Sequence, residues 1–282
     1  MPIEETPAMP TLDLDRALPA AQRAIDLAVQ YVLHHQPTRI STKGDRDLVT
    51  NIDPAIEKLI RDLLHNWDPQ IGFLGEEHGA FGDQNTYWVL DPIDGTINYA
   101  HGSPLFAIAL ALVHEHQPIL GITALPFLGA RYWAVQGQGA YRDGDRISVS
   151  TTSELHEAVI GMCDYGSGPN AEVRDRLCAD LDHRLTGRAQ GVRRLGTTAL
   201  ELVWVADGTL DASVLFGNRT WDTASGAIIA REAGALVLDV DGQPHTTLSG
   251  SVLATTPALA DVILPMMEVA RDTLYWPQPG IS

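Results

Sequence analysis

The stretch WVLDPIDGTINYAHGSP, Trp88–Pro104, places Asp91 and Asp94 directly after an apolar run. The run predicts a buried strand, and a buried carboxylate is costly unless it is paired or binds a metal ion. Because the residue before a proline is held extended, Asp91 should point off the end of this strand, and a turn should bring Asp94 back towards it. With the carbonyl of Ile93, the two acids form the hard-oxygen ligand set that Mg²⁺ prefers.

The two residues after the acids suit a phosphate group. Gly95 and Thr96 offer backbone N–H groups at what is expected to be a helix start, where phosphate oxygens bind well. Taken alone, however, DPIDG is equally compatible with two ordinary turns, since Asp, Pro and Gly are common turn residues. The motif therefore needs support from other parts of the chain.

Three further acidic clusters each have an ordinary explanation. Glu76 and Glu77 in FLGEEHG are compatible with a solvated loop, while Asp53 before Pro54 and Asp222 in TWDTASG are favoured residues for a helix N-cap. Neighbouring residues on a strand point to opposite faces, so at most one of the two glutamates is expected to face a site.

Composition limits the classes of partner. Nineteen Lys and Arg against thirty-six Asp and Glu give a formal net charge of −17, which disfavours nucleic acid and anionic membranes as partners. The longest apolar runs are too short to span a bilayer, and the acidic N-terminus lacks the apolar core of a signal peptide. Cys163 and Cys178 form no CxxC pair, so we expect two buried thiols, no disulfide and a cytoplasmic protein.

Periodicity predicts an α/β fold in two parts. Apolar spacings of three and four predict a helix over Leu12–His35, residues 36–52 are expected to form a loop or irregular hairpin, and a second helix should follow Asp53 as its N-cap. Short β-like runs over Ile71–Val149 predict a mostly antiparallel sheet, with a hairpin at Asp143-Gly144. We therefore expect an α+β half over residues 1–150.

The remaining chain shows a different pattern. Strand-like and helix-like segments alternate over residues 151–282, which predicts a mainly parallel sheet covered by helices on both faces. No flexible linker separates the halves, so a site is expected in the cleft between them.

Taken in order, the motifs GEE, DPIDGTxN followed by HGxP, and WDxAxGxxxxxEAG closely resemble the inositol monophosphatase family, from about Leu12 to about Thr256. DLVTxxD and GTTALELVWVADGTLDA fit it as well, and the form of the central motif looks most like an actinobacterial branch. The resemblance implies a layered α-β-α-β-α sandwich, a homodimer, and hydrolysis of a small phosphorylated alcohol by two or three Mg²⁺ ions.

The resemblance also implies roles for individual residues. The metal ligands would be Glu76, Asp91, the carbonyl of Ile93, Asp94 and Asp222. Thr96, hydrogen-bonded to Asp53, would help Glu76 to orient and deprotonate the attacking water. Phosphate and substrate would contact Asp94, Gly95, Thr96, Gly196, Thr197 and Thr198, with the loop at residues 164–170 nearby. A lysine-bearing loop near Lys43 stands at nearly the family spacing.

One departure from the family pattern affects the substrate. Inositol-specific members carry a glutamate seven positions before the last metal aspartate, and this chain has Leu215 there. Inositol 1-phosphate is the family default, but histidinol phosphate, fructose 1,6-bisphosphate and 3′-phosphoadenosine phosphate stay open. Arg193 and Arg194 are candidates for binding a second anionic group, or are ordinary sheet-edge charges. A regulator that binds a phosphorylated ligand or another protein without catalysis is the alternative class.

Overall fold

Two helices and a small hairpin begin the fold. The computed structural model describes residues 12–44, 46–164, 166 and 170–274. Helix α1 (Leu14–His34) is followed by strands β1 (Ile40–Gly44) and β2 (Asp47–Thr50), which pair antiparallel, and by helix α2 (Ile52–Trp67). These elements confirm the two predicted helices and the hairpin between them.

The predicted N-cap of α2 is wrong. The helix begins two residues earlier than expected, at Ile52, with Asn51 at the cap position. Asp53 therefore lies within the first turn, where its carboxylate accepts hydrogen bonds from the backbone N–H of Thr50 at 3.1 Å and from the Thr50 hydroxyl at 2.5 Å. These bonds hold the acid in a buried position.

An eight-stranded sheet forms the first large layer. Its elements in chain order are β3 (Gly72–Gly75), β4 (Gly79–Phe81), β5 (Thr86–Asp94), the short helix α3 (Thr96–Ala100), β6 (Ala107–His114), β7 (Gln117–Leu125), β8 (Ala130–Val135), β9 (Gly139–Arg142) and β10 (Asp145–Ile147). The strand order is β10-β9-β8-β7-β6-β5-β3-β4, and only β3 and β5 pair in parallel. The mostly antiparallel sheet and the hairpin at Asp143-Gly144 are thereby confirmed.

A five-stranded sheet forms the second. Its elements are β11 (Val159–Met162), α4 (Ala171–Leu185), β12 (Gly191–Arg193), α5 (Thr198–Ala206), β13 (Ala212–Phe216), α6 (Thr220–Glu232), β14 (Leu236–Leu238), β15 (Ser251–Thr255) and α7 (Pro257–Leu274). The order is β12-β11-β13-β15-β14, in which β15 pairs antiparallel with both neighbours. The predicted mainly parallel sheet is therefore a mixed one, because no helix connects β14 to β15 and the chain can reverse directly.

The helices and sheets alternate in five layers. Helices α1 and α2 pack on the eight-stranded sheet, α5 and α6 contact both sheets, and α4 and α7 pack on the five-stranded sheet. The two faces of strand β6 pack in different hydrophobic clusters. Ile108 and Leu110 belong to the cluster around α1 and α2, whereas Ala107 and Ala109 belong to the cluster that contains α5 and α6. The predicted α-β-α-β-α sandwich is confirmed.

Helix α6 approaches the first sheet very closely. A Cβ atom at Gly121 of β7 would lie 2.5 Å from Ile228 Cγ2 and 2.7 Å from the carbonyl oxygen of Ser225. The hydroxyl groups of Thr123 and Ser225 lie 2.9 Å apart across the same contact. A helix from the second half of the chain is thus seated on the sheet of the first half, and the division near residue 150 stays a prediction.

The expectation of two free thiols is wrong. Cys163, which follows β11, forms a disulfide with Cys178 of α4, and both residues are buried as expected. The sequence spacing gives no sign of this pair, because the fold brings together two cysteines that lie 15 positions apart. The cytoplasmic location loses this support and stays a prediction. Within the described ranges, no helix combines the length and apolar character needed to cross a membrane.

Buried His245 gives a test of this packing. The ring is 1% exposed, with Nδ1 3.0 Å from the Ser251 carbonyl oxygen and Nε2 3.3 Å from the Thr223 hydroxyl of α6. Burial, with a smaller contribution from Arg231, lowers the pKa of His245 to about 4. The unfolded chain therefore binds a proton that the folded chain does not, from about pH 6.5 downward. Stability from His245 is present above this pH and is lost as pH falls towards the folded pKa.

We expect the stability advantage of wild type over His245→Asn to shrink by up to about 1.4 kcal/mol for each pH unit below 6.5. Urea unfolding at several pH values measures the difference, and subtraction cancels the other titrating groups that the two proteins share. The exposed His183→Asn is the matched control. A difference that stays constant between pH 7.5 and 5 contradicts the prediction.

Candidate active site

A bulge in β5 sets the directions of the first two acids. Asp91 pairs with Ala109 of β6 and Asp94 pairs with Ala107, so three steps along β5 oppose two steps along β6. Residues three apart on a regular strand face opposite sides, whereas one extra residue turns them to the same side. A turn was expected between Asp91 and Asp94, but the strand continues to Asp94 and contains a bulge there instead.

The acids predicted from distant parts of the sequence come together. Asp91 is 3% exposed, and burial together with the nearby carboxylates raises its pKa well above the usual range; the carboxylates responsible are Glu76, Asp94 and Asp222. Burial raises the pKa of Asp94 to about 6, although hydrogen bonds from Thr197 and Ala199 partly oppose this. Burial and the charge of Asp94 raise the pKa of Asp222 to about 7.

Helix α6 supplies Asp222 from its first turn. The carboxylate accepts a hydrogen bond from the backbone N–H of Arg219, the N-cap residue, at 2.7 Å. Asp222 thus contributes to the cap, as its residue type suggests, but from the third helical position rather than as the N-cap itself. This bond fixes the carboxylate at the N-terminal end of α6, where it interacts with Asp94.

Glu76 and Glu77 lie in the turn between β3 and β4 and share a partner. Lys43 Nζ of β1 lies 2.9 Å from Glu76 Oε1 and 2.5 Å from Glu77 Oε1. Burial alone would lower the pKa of Lys43, but the contacts with Glu77 and Glu76 raise it above the usual range. Both residues lie beyond the end of β3, so the alternation of a strand does not apply to them, and the expectation that at most one glutamate faces the site stays a prediction.

The predicted pair of Thr96 and Asp53 is present but long. The Thr96 hydroxyl lies 3.5 Å from Asp53 Oδ1 and donates a shorter bond, of 2.9 Å, to the carbonyl of Ile93. Burial raises the pKa of Asp53 above its usual range. Asp53, Ile93 and Thr96 are thus neighbours, as the resemblance implies, and Thr96 contacts the carbonyl that was expected to bind metal.

The turn before α5 positions the Asp94 carboxylate by hydrogen bonds. The Thr197 hydroxyl and the backbone N–H of Ala199 each donate to Asp94 Oδ2 at 2.6 Å. Gly95 makes this approach possible, because it has a φ of +89° and a Cβ there would lie 3.1 Å from the Gly196 carbonyl oxygen. Thr197 therefore positions an acid through its hydroxyl, a contact that sequence motifs did not indicate.

Asn98 is a structural residue that the sequence analysis did not single out. Its side-chain amide donates to the carbonyl of Leu105 and to the carbonyl of Leu195, each at 2.7 Å. It thus ties the chain after β5 to the turn that carries Thr197. Its place in the DPIDGTxN motif was the signal available in the sequence.

A cavity of about 290 Å³ lies beside the acids. Every residue assigned to phosphate and substrate lines it, and two of the lining residues, Asp94 and Asp222, are also metal-ligand candidates; the set is Asp94, Gly95, Thr96, Gly196, Thr197, Thr198 and Asp222. Leu215 lines it as well, whereas Asp91, at 3% exposure, is buried behind this surface. Of the loop at residues 164–170, positions 165 and 167–169 lie outside the described part of the chain.

Two arginines in the cavity wall were missed. Arg46, between β1 and β2, and Arg174 of α4 both line the cavity. Arg193 and Arg194, the sequence candidates, lie at the edge strand β12, where they donate to the carbonyls of Val192 and Cys163. Helix periodicity gives no sign that Arg174 reaches the site, since only the placement of α4 beside β13 decides it.

The donor set fits a hard divalent cation. Among the described residues, no three His, Cys, Asp or Glu side chains already form a finished metal-binding group. In addition to burial, the charges of Glu76, Asp94 and Asp222 nevertheless raise the pKa of Asp91, and the charge of Asp94 raises that of Asp222. A divalent cation removes that repulsion, and carboxylate oxygens are the ligands that Mg²⁺ prefers.

Comparisons with known proteins identify the family of this chain. The model of the inositol monophosphatase family matches residues 13–270. An inositol-1-monophosphatase of Mycolicibacterium smegmatis is 36% identical over 256 residues, which cover 90% of this chain and 91% of that protein. A fructose-1,6-bisphosphatase/inositol-1-monophosphatase of Aquifex aeolicus is 35% identical, covering 82% of this chain and 87% of that protein.

A solved structure of a Thermotoga maritima IMPase superposes with a TM-score of 0.83 at 29% identity, covering 92% of this chain and 99% of that one. The match of fold therefore extends over the same range as the match of sequence. The chain belongs to the inositol monophosphatase family and is a phosphatase.

Proposed function

We propose that the protein hydrolyses a small phosphate monoester in the cavity between Asp94 and Asp222, with inositol 1-phosphate as the first substrate to test. The observation that carries this proposal is the convergence beside that cavity of two buried carboxylates from β5 with half-buried ones from the β3–β4 turn and α6. The relatives, which are named as phosphatases, support catalysis rather than a regulator without activity.

Mg²⁺ is the proposed cofactor. It would be held by Glu76, Asp91, the carbonyl of Ile93, Asp94 and Asp222. Bound there, it would acidify the attacking water and neutralise charge that develops on the phosphoryl group. The presence of two or three ions and the homodimeric state rest on the resemblance alone and stay predictions.

The chain's own groups orient the reaction. We assign to Glu76 and Thr96 the positioning of the attacking water, and to Asp53 the support of the Thr96 hydroxyl. The backbone N–H groups of Gly95 and Thr96 would bind phosphate oxygens. Thr197 contributes by holding Asp94 through its 2.6 Å hydrogen bond, and Gly196 and Thr198 complete the wall on the substrate side.

A bisphosphate is a second candidate substrate. Leu215 cannot accept hydrogen bonds from ring hydroxyls, so the pocket differs from that of an inositol-specific enzyme. The Aquifex aeolicus relative is named for activity on fructose 1,6-bisphosphate as well as on inositol 1-phosphate. Phosphate release from a panel of inositol, sugar, nucleotide and histidinol phosphates, in the presence of Mg²⁺, tests both candidates.

Replacement of Asp91 by Asn should abolish activity without loss of folding. The variant keeps the shape of the side chain but removes a negative charge from a buried cluster, so kcat should fall by about 100-fold or more. Thermal unfolding without Mg²⁺ should occur at an unchanged or higher temperature, because repulsion with the other acids is removed. Asp145→Asn, at an exposed position, is the control. Turnover near the wild-type rate at saturating Mg²⁺ would count against the metal scheme.

Replacement of Glu76 by Gln should lower kcat by about 100-fold or more while it changes KM much less, since Glu76 is assigned to water activation rather than to substrate binding. The adjacent Glu77→Gln is the matched control, because both glutamates contact Lys43. Steady-state kinetics of phosphate release measures the two constants. Equal losses in the two variants, or an unchanged kcat for Glu76→Gln, would remove Glu76 from this role.

A further inference from the structure

The end of β13 forms an apolar part of the cavity wall. Leu215 and Phe216 are only 6% and 5% exposed, and both line the cavity with Gly217. An apolar side chain offers no acceptor for the hydroxyl groups of a polyol. Recognition of the alcohol by this wall therefore depends on the polar groups next to it.

Arg174 of α4 lies directly against this wall. Its Nη1 atom donates to the carbonyl of Gly217 at 3.1 Å. A Cβ atom at Gly217 would lie 2.1 Å from Arg174 Cδ, and one at Gly166 would lie 2.8 Å from Arg174 Nε. Since Gly217 also has a φ of +71°, a residue with a side chain is unfavourable there on two grounds. Two glycines thus make room for the arginine at the cavity.

A second guanidinium lines the same cavity. Arg46 comes from a different element, the β1–β2 hairpin, and its Nη1 atom lies 3.8 Å from Asp175 Oδ2. Burial lowers the pKa of Arg174, and the charges of Arg219 and Arg46 act in the same direction, whereas those of Asp175 and Asp222 oppose it. Like charges brought together in a half-buried site are unfavourable, and a bound anion would reduce this cost beyond what Asp175 already offsets.

Two positively charged side chains line this cavity, beside acidic ones, in a protein that is acidic overall. The chain carries a net charge of −17, yet two arginines from separate elements meet at one cavity of about 290 Å³. The planar guanidinium binds phosphate and carboxylate groups through paired hydrogen bonds. It carries five N–H donors, so a bond to the carbonyl of Gly217 is compatible with binding a further oxyanion.

We propose that Arg174, assisted by the charge of Arg46, binds a second oxyanion of the substrate, so that the enzyme prefers phosphate monoesters whose alcohol part carries another phosphate or a carboxylate. This inference rests on the proposed phosphatase function of the same cavity and adds the class of alcohol that it accepts. It assigns specificity to a wall made by β13 and α4, separate from the acids that handle the hydrolysed phosphate.

The cavity is also lined by acidic residues, which would favour a cationic rather than an anionic alcohol part. Asp47 and Asp164 also line the cavity, and a Cβ at Gly196 would lie 3.4 Å from Asp164 Oδ2. If these carboxylates dominated recognition, the best substrate would carry a positive charge in its alcohol part. Esters with neutral, anionic and cationic alcohol parts therefore separate the two outcomes.

The experiment compares kcat/KM for matched esters with Mg²⁺ present. Glycerol 3-phosphate and 3-phosphoglycerate differ by a carboxylate, fructose 6-phosphate and fructose 1,6-bisphosphate differ by a phosphate, and histidinol phosphate supplies a cationic alcohol part. Wild type should favour the doubly anionic member of at least one pair by about tenfold or more, as expected for a charge-assisted contact. The two pairs show whether the second oxyanion is a carboxylate or a phosphate.

Variants then link the preference to the arginine. Arg174→Gln should reduce kcat/KM for the favoured ester about 10- to 100-fold, mainly through KM, and at least ten times more than for its neutral counterpart. Arg174→Lys keeps the charge and should retain part of the preference. Arg176→Gln, on the exposed side of α4 where Arg176 pairs with Glu172, is the matched control and should change neither value.

Several results would overturn the proposal. One is a preference of wild type for the neutral or cationic esters. Another is an equal loss of kcat/KM on all esters in Arg174→Gln, provided that its thermal unfolding matches that of wild type. If Arg174→Gln does not fold, Arg174→Lys provides the test. The proposal then fails if this variant shows the same preference as wild type, or no preference at all. Wild type that hydrolyses none of these esters, and no inositol phosphate, would instead reject the proposed function itself.

Discussion

Mutual repulsion among buried carboxylates is the constraint on which the site depends. Burial raises the pKa values of Asp91, Asp94 and Asp222, and the charges of neighbouring carboxylates raise them further. The protein offsets part of this cost with hydrogen bonds to Asp94 and Asp222 and with the contact between Lys43 and Glu76. The remaining electrostatic repulsion favours the binding of a cation by these carboxylates.

The middle helical layer gives the cluster its geometry. Asp222 lies in the first turn of α6, and α6 is pressed against β7 where Gly121 leaves no room for a side chain. The position of Asp222 relative to β5 is therefore set by helix-to-sheet packing rather than by a loop. A site held by rigid elements keeps acids in place that would otherwise move apart.

The two sides of the cavity follow different rules. The side proposed to bind the hydrolysed phosphate is built from short motifs in which the spacing of residues is tightly limited, since Gly95 and Gly196 must approach each other closely. The side proposed to bind the alcohol is built from Leu215, Arg174 and Arg46, which come from three separate elements. Such a wall can change in charge and shape without disturbing the acids, which is how one fold accepts different alcohols.

Local sequence patterns were enough to predict most of the elements, because the apolar period separates helices from strands and Gly and Pro mark where they end. They also led to Glu76, Asp91, Asp94 and Asp222 as candidate ligands, since the order of their motifs resembles one family. Four features became visible only in the folded chain: the bulge that aligns Asp91 with Asp94, the reversed strand β15, the disulfide between Cys163 and Cys178, and the entry of Arg174 into the cavity. These features arise from contacts between residues far apart in the chain, and local patterns carry no record of such contacts.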